Sequence, residues 1–393
     1  MKKGWPTMRV ADVILDIKDG GTPSRKNPEY FGGDVYWCVV KDIKPLIFDT
    51  AEKLTEDGLN NCSAKVWPVD SVIISLGATI GQIGIAKVPT ATKQGLAGIV
   101  LNRQMMTPEF LAYGLLGQKE YIQSLATGAT IKEIRPTRFA ETIQIPVPPL
   151  AEQQRIVGLL DEAFEGLATA KANAEKNLQN ARTLFESHLQ SVFTQRGPGW
   201  VEKKLEEIGK TQTGSTPKTS DQSNYGDFIS FVKPGDFNTD GTLDYDKDGL
   251  SESGAEGARK VPAGSVLMVC IGATIGKCGY CDQDVTTNQQ VNALTPSDGS
   301  SNRFIYYQML TETFQRKVIH ASGQATLPII NKSKWSALSV WLPPKVAEQK
   351  KIAAKFDALV EETQRLAAIY ERKAAALDAL KKSLLHQAFS GNL

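Results

Sequence analysis

The sequence is poor in the residues on which catalytic and secreted proteins most often lean. Its 393 residues hold three histidines and five cysteines. The cysteines, Cys38, Cys62, Cys270, Cys278 and Cys281, are odd in number and thinly scattered. They do not make a disulfide framework, which fits a reducing compartment. Long apolar runs are missing too. The opening MKKGWPTMRVADVILDIKDGG has a few positive charges but no apolar stretch long enough for a signal peptide. No window approaches the ~18 apolar residues of a membrane span, so a cytoplasmic protein is expected. Charge of one sign is also lacking: 45 Lys and Arg against 43 Asp and Glu leave +2. Dedicated nucleic-acid binders are often far more basic, so any DNA role must rest on local clusters or on partners that share the phosphates. What remains, 41% hydrophobic and 22% charged, is an ordinary globular composition with room for two or three domains.

Catalytic signatures are equally scarce. GATIGKC at Gly272 resembles a phosphate loop, but that motif needs four residues between its glycines and Ser or Thr after Lys. Here there are three and a Cys, and the same GATIG at Gly77 is followed by Gln-Ile, so both are read as glycine turns between strands. Cys278 and Cys281 have the spacing of half a zinc site, yet no second CxxC or nearby His completes a tetrahedral set. A buried, inert pair is expected instead. His188, His320 and His386 have no nucleophile or carboxylate constellation around them. The Asn-Pro-Pro-aromatic motif and glycine-rich cofactor loop of an adenine methyltransferase are missing as well. No metal, cofactor or catalytic residue is assigned to this chain.

What the chain does have is repetition. Residues 4–193 match 199–389 at an offset of 194 to 196. Gly4-Trp5 recurs as Gly199-Trp200, GGTP at Gly20 as GSTP at Gly214, and GATIG at Gly77 unchanged at Gly272. TGAT at Thr127 meets SGQAT at Ser322, and IPVPPLAEQQRI at Ile145 meets VWLPPKVAEQKKI at Val340. Within each copy WCVV, SVIISL and AGIVL, then FISFV, SVLMVC and VNAL, read as short strands. PEFLAYGLLGQKEYIQSLA and NRFIYYQMLTETFQRKVIHA each read as one helical piece.

Each copy ends in a long helix. After Pro146, Pro148 and Pro149, the residues Ile156, Leu160, Ala163, Leu167, Ala170, Ala174, Ala181 and Leu184 recur in steps of three and four until Gly197-Pro198-Gly199. The C-terminal stretch repeats this seam with Ile352, Phe356, Leu359, Thr363, Leu366, Tyr370, Leu377, Leu380 and Leu384. A narrow stripe on a rod needs a partner helix of similar length, and the duplicate supplies it. The expected fold class is therefore α+β: two duplicated, mostly-β domains separated by two long antiparallel coiled-coil helices with pseudo-twofold symmetry. The boundaries are 1–148 and 197–344 for the domains, 149–196 and 345–393 for the helices. Asn177 and Lys373 interrupt the two seams near their midpoints. Paired antiparallel, they would face each other and fix helix register; alternatively the seam drifts, with Leu178 and Ala374 taking over. Antiparallel rods would place similar but non-identical heads a set distance apart, which suits duplex DNA with two sites at fixed spacing.

The set GGTPSRKNPEYFGGDV at Gly20, GATIG in both copies, TTNQQVNAL at Thr286, PPLAEQQRIV at Pro148 and LLHQAFSGNL at Leu384 resembles the DNA-specificity subunit of type I restriction-modification systems. The resemblance covers both copies. It implies two target-recognition domains, each reading one half of a bipartite asymmetric site on double-stranded DNA. It also implies helices that space them and dock two methyltransferase subunits, and restriction/translocase subunits through these. Such a chain has no catalytic activity or cofactor of its own; S-adenosylmethionine, and ATP with Mg2+, belong to the partners.

Base reading calls for Arg or Lys to guanine, Asn or Gln to adenine, and Asp or Glu to cytosine. Such residues cluster in comparable loops of both copies. In the first, Arg25, Lys26 and Asn27 follow GGTP, Lys93 and Gln94 precede a strand, and Lys132, Arg135 and Arg138 follow TGAT. In the second the matching places hold Lys218, Thr219, Lys233, Asn288, Gln289 and Gln290, with Gln324, Asn331, Lys332 and Lys334 at and after SGQAT. Flanking lysines are read as phosphate anchors; Arg135, Arg138, Gln289, Gln290 and Asn331 are read as base contacts. The alternative is a coiled-coil scaffold whose heads bind protein partners.

Overall fold

The computed structural model describes residues 4–128, 132–238, 241–323 and 327–393, without the side chain of Arg182. It divides into two compact units, Met1–Ala174 with Arg372–Leu393, and Glu175–Glu371. Both cuts fall inside a long helix: Leu150–Gln195 in the middle of the chain and Val346–Phe389 near its end. Each unit is thus one head, the first half of that head's own helix and the last half of the other helix. The units cut across the four segments expected from the sequence.

In the first unit, Ile14–Asp19, Leu96–Leu101, Val72–Ser75 and Ile83–Ala86 lie side by side antiparallel, and Leu46–Ile47 joins the edge in parallel. A second sheet runs Lys53–Leu54, Phe31–Cys38, Thr90–Thr92, Val66–Trp67, with a parallel pair at its centre. Val72 and Ile74 enter a large core with Phe110, Leu115 and Phe139, whereas Ile73 enters a small one with Cys38, Trp67 and Leu96. Side chains alternate across a strand, so a strand covered on both faces reads as a continuous apolar run. SVIISL is such a strand. Gly98 leaves the room that Trp67 fills: a Cβ there would stand 2.1 Å from the indole Cε2.

The second unit repeats the plan. Gly209–Thr213, Val291–Pro296, Val266–Val269 and Cys278–Tyr280 form one antiparallel sheet. Gly249–Leu250, Tyr225–Val232, Val285–Thr287 and Lys260–Val261 form the other. Val266 and Met268 face the helices while Leu267 and Val269 face the second sheet. Each helical piece expected as one divides in two. Pro108–Gly117 stops at Gln118 before Lys119–Ser124, and Asn302–Met309 stops before Thr311, whose hydroxyl accepts the Phe314 N–H and starts Glu312–Ser322.

The long helices pair antiparallel within each unit. In the first, Arg155 donates to the Leu393 carbonyl at 3.0 Å, Lys381 lies over the Phe164 ring and Lys171 pairs with Asp378 at 2.8 Å. In the second, Phe193 stacks on Phe356 at 5.8 Å and Gly197 lies beside Glu348. The far helix completes each core. Leu385 and Ala388 are buried with Ile156 and Leu160 in the first head, where Phe389 meets Phe110 at 4.7 Å. Leu189 and Phe193 do the same in the second, against Phe304 at 5.1 Å. The seam departs from expectation at Leu184 and Leu380, which are 62% and 47% exposed; it passes instead to Phe185 and Leu189 in one helix, and in the other Leu385 joins the expected Leu384. A straight helix drifts by about 20° per heptad, which rotates a fixed repeat off the contact line. Asn177 and Lys373 are exposed, and Leu178 and Ala374 are half-buried. No described helix is long and apolar enough to cross a membrane.

Candidate DNA interface

Four loops of the first head are knitted together by backbone hydrogen bonds. The Gly20 N–H reaches the Leu96 carbonyl and the Gly21 N–H the Thr92 carbonyl, both at 2.9 Å. Leu76 and Gly77, at the entry to GATIG, donate to the Gly95 carbonyl at 2.8 and 3.1 Å. Ile134 donates to the Leu76 carbonyl at 2.8 Å, and Thr127 and Glu133 bond each other. GGTP, the turn at Lys93-Gln94, GATIG and the segment after TGAT therefore form one cluster at the strand ends. Gly20 is required there: a Cβ would stand 2.1 Å from the Thr92 carbonyl oxygen.

The second head builds the same cluster. Gly214 donates to Val291 at 3.0 Å, Ser215 to Thr287 at 2.8 Å, Cys270 to Gln290 at 2.7 Å and Ile330 to Cys270 at 2.9 Å. A Cβ on Gly214 would lie 2.2 Å from the Asn288 carbonyl oxygen. GATIG is the turn between two antiparallel strands in each copy, with Gly81 at φ 87° and Gly276 at φ 91° donating back across the hairpin to Ser75 and Val269. Positive φ at these positions favours glycine. The motif closes a hairpin, as the sequence suggested.

The candidate side chains fall into three groups. Lys26, Gln94, Lys132, Arg135 and Arg138 are exposed in the first head, as are Gln289, Asn331, Lys332 and Lys334 in the second. Arg135 immediately precedes the helix Pro136–Thr142, and Arg138 lies on it. Asn331 holds the equivalent place before Lys332–Ser336, but its oxygen accepts the Lys334 N–H at 2.9 Å as a helix cap. That leaves the amide N–H groups as the donors this side chain has to offer. Gln289 accepts the Thr216 hydroxyl.

The second group is tied inward. Arg25 lies over Phe31 and Trp37, 4.6 and 5.3 Å from their centres, and pairs with Glu52 at 2.6 Å. That guanidinium holds the Glu52 carboxyl below its ordinary value. Lys233 pairs with Asp248 at 2.8 Å beside Phe231. Asn288 and Gln290 are half-buried and bond each other through Asn288 Nδ2 and Oδ1, both at 3.0 Å. Asn27 and Lys93 are half-buried, each anchored through its backbone N–H, to Ser24 and Cys38 respectively. These residues shape the cluster more than they project from it. Lys218 and Thr219 form the third group: their loop folds on itself, with Asn224 Nδ2 donating to the Lys218 carbonyl at 3.3 Å. Gln324 lies outside the described residues.

Sequence reading missed Ser63 and Arg259. The Ser63 hydroxyl donates to the Gly20 carbonyl at 3.3 Å, and the Arg259 guanidinium to Thr213 at 2.7 Å, just before Gly214. Both brace the glycine loop from a segment with no repeated motif; only its equivalent place after the short helices Glu56–Asn60 and Glu252–Glu256 could have pointed to it. Asp19 accepts the Gly95 N–H at 2.9 Å, and burial raises its carboxyl above the ordinary value. Cys278 and Cys281 enter different cores, the first with Met309 and the second with Val285, and burial pushes both thiols up. Among the described residues no group of three His, Cys, Asp or Glu could hold a metal ion.

A family model described as the type I restriction modification DNA specificity domain matches this chain twice, over residues 2–178 and 198–371. The MjaIX specificity subunit of Methanocaldococcus jannaschii is 29% identical over 235 residues, 54% of this chain and 53% of that one. The HindI specificity subunit of Haemophilus influenzae is 28% identical over 221 residues, 53% of this chain and 48% of that one. The matches to these curated relatives thus span about half their length. A chain from a structure of the type I R-M system, described for complex assembly and conformational transition, superposes with a TM-score of 0.81 at 22% identity, covering 100% of this chain and 99% of that one, which shows a shared fold. With both halves matched by one family model and both heads built on one plan, the chain belongs to the type I restriction-modification DNA specificity family.

Proposed function

We propose that this chain is the non-catalytic DNA-reading subunit of a type I restriction-modification enzyme. Each head reads one half of a bipartite asymmetric site on double-stranded DNA. The observation that carries this is that two identically braced loop clusters are furnished differently with exposed side chains: Arg135 stands where Asn331 does and Arg138 where Lys334 does. One scaffold with two sets of donors suits two half-sites of different sequence, because a guanidinium fork grips guanine at two points, whereas the Lys334 ammonium is a point charge and Asn331, its oxygen spent on the cap, offers N–H donors alone. A scaffold for protein partners gives no reason for that pairing of sameness and difference. The paired long helices serve as spacer and as docking surface for two methyltransferase subunits, with restriction subunits joining through them in the cytoplasm. S-adenosylmethionine, and ATP with Mg2+, act on those partners. With 45 basic residues against 43 acidic ones, much of the phosphate neutralisation is left to them.

The test is co-expression with the cognate methyltransferase subunit and genome-wide mapping of methylated adenine. A two-part motif with a fixed gap is expected. Arg135→Ala should relax one half-site only, by about 1–3 kcal/mol per lost bidentate pair. Absence of any two-part motif, or equal weakening on all sequences, would refute the respective assignment.

A further inference from the structure

The AEQ that opens both long helices is not one of the clustered loops, yet its glutamine is among the most buried polar residues of each unit. Gln153 is 0% exposed and Gln349 is 1% exposed. Gln153 Oε1 accepts the Thr107 N–H at 2.9 Å, while Nε2 donates to the carbonyls of Met105 at 2.7 Å and Pro148 at 2.9 Å. Gln349 does the same work in the second copy: Oε1 accepts the Ser301 N–H at 2.7 Å and Nε2 donates to Pro343 at 3.0 Å. In each case the amide ties the start of a head helix, Pro108–Gly117 or Asn302–Met309, to the start of the long helix. A second tie recurs farther along. The Tyr113 hydroxyl donates to Asp161, and the Tyr307 hydroxyl donates to Asp357 at 2.6 Å.

An apolar side chain would fill the same volume, but it would leave the Thr107 and Ser301 N–H groups buried and unpaired, and apolar contact has no direction. An amide bonded on both edges to the head and to the turn before the helix fixes rotation as well as contact. The duplication keeps this geometry while the reading side chains differ.

Resting on the reading of the heads as two half-site readers, we infer that Gln153 and Gln349 are positioning residues that set the angle of each head on its helix, and hence the gap between half-sites that the protein accepts. They touch no DNA and act through the heads.

The experiment uses the full chain in complex with its methyltransferase subunits, carrying Gln153→Met or Gln349→Met, which keep the volume and remove the hydrogen bonds. Methylated adenines are mapped genome-wide. Both half-site sequences should stay as in the unaltered protein, while sites with gaps longer or shorter than the original become methylated within about tenfold of the original occupancy. An unchanged gap in both methionine variants, at whatever occupancy, overturns the inference and leaves the amides a purely structural role. Loss of all methylation in both variants with no new gap overturns it equally. Failure of the unaltered chain to direct methylation to any two-part site would instead sink the underlying reading, and shows before any variant is made.

Discussion

Replacing Gly20 by Ala is the sharpest single perturbation of the proposed reading surface. The added methyl would sit 2.1 Å from the Thr92 carbonyl oxygen and 2.4 Å from that of Lys93. Carbon and carbonyl oxygen approach comfortably only to about 3.3 Å. The glycine loop or the end of Thr90–Thr92 must therefore give by about 1 Å. That movement loosens the Gly20 and Gly21 hydrogen bonds, both 2.9 Å long. Two hydrogen bonds at about 1 kcal/mol each, with local strain of about 1–3 kcal/mol, put the cost near 3–5 kcal/mol. A head with ordinary stability of roughly 5–15 kcal/mol remains folded, but with its loop cluster displaced. In the assembled complex, fluorescence anisotropy on duplexes with either half-site scrambled should show the first half-site's discrimination falling by about 10–100-fold, with the second unchanged. Gly214→Ala, whose methyl would meet Thr287 and Asn288 at 2.2 to 2.3 Å, should give the mirror result. Gly158→Ala is the control, since nothing lies within 4 Å of its Cβ position. Wild-type discrimination by Gly20→Ala, or equal loss at both half-sites, would refute the assignment of one cluster to one half-site.

Two further outcomes follow from burial. Burial pushes Cys38 and Cys270 up to about 12 and Cys281 to about 11, from an ordinary 9.0. A raised folded-state value favours the neutral thiol, so this stability is fully present below about pH 9 and is lost as pH climbs toward 11 to 12. Urea unfolding should show it falling above pH 9 by up to roughly 1.4 kcal/mol per pH unit per thiol; Cys38→Ala should flatten part of that slope, and an unchanged slope would count against it. Asn177→Leu with Lys373→Leu should leave the melting temperature within about 2 °C of the parent, because both side chains are exposed. A clear rise would return them to the seam and to control of register.

The duplication, both long helices, the core strands and GATIG as a turn were legible because each rests on local chemistry: period, proline and glycine. Other features were not, since they depend on partners distant in sequence. Ser63 and Arg259 brace the glycine loop through single contacts that no periodicity announces. Asn331 appeared as a free amide, and only its place before Lys332–Ser336 shows its oxygen spent on capping. Arg25 and Lys233 carry the right charge for DNA but are bound to Glu52 and Asp248, at positions 27 and 15 residues away. The seam was legible where it meets a neighbouring core and misjudged at Leu184 and Leu380, where the helix twists off its repeat. The likeness of AEQ in both copies was visible, but not that its glutamine is buried with both ends of its amide bonded.

The exchange of helix ends between the two copies also sets an order in time. Phe304 is made after Leu189 and Phe193, so the second head finds its borrowed helix already waiting. The first head has the opposite fate. Phe110 emerges early, and Leu385, Ala388 and Phe389, which close its core, are translated only after the whole second head. At about 5–20 residues per second, that interval is on the order of tens of seconds. The head synthesised first is therefore the one completed second, and a chain cut short between the second head and Leu385 leaves the first one open to proteases and chaperones.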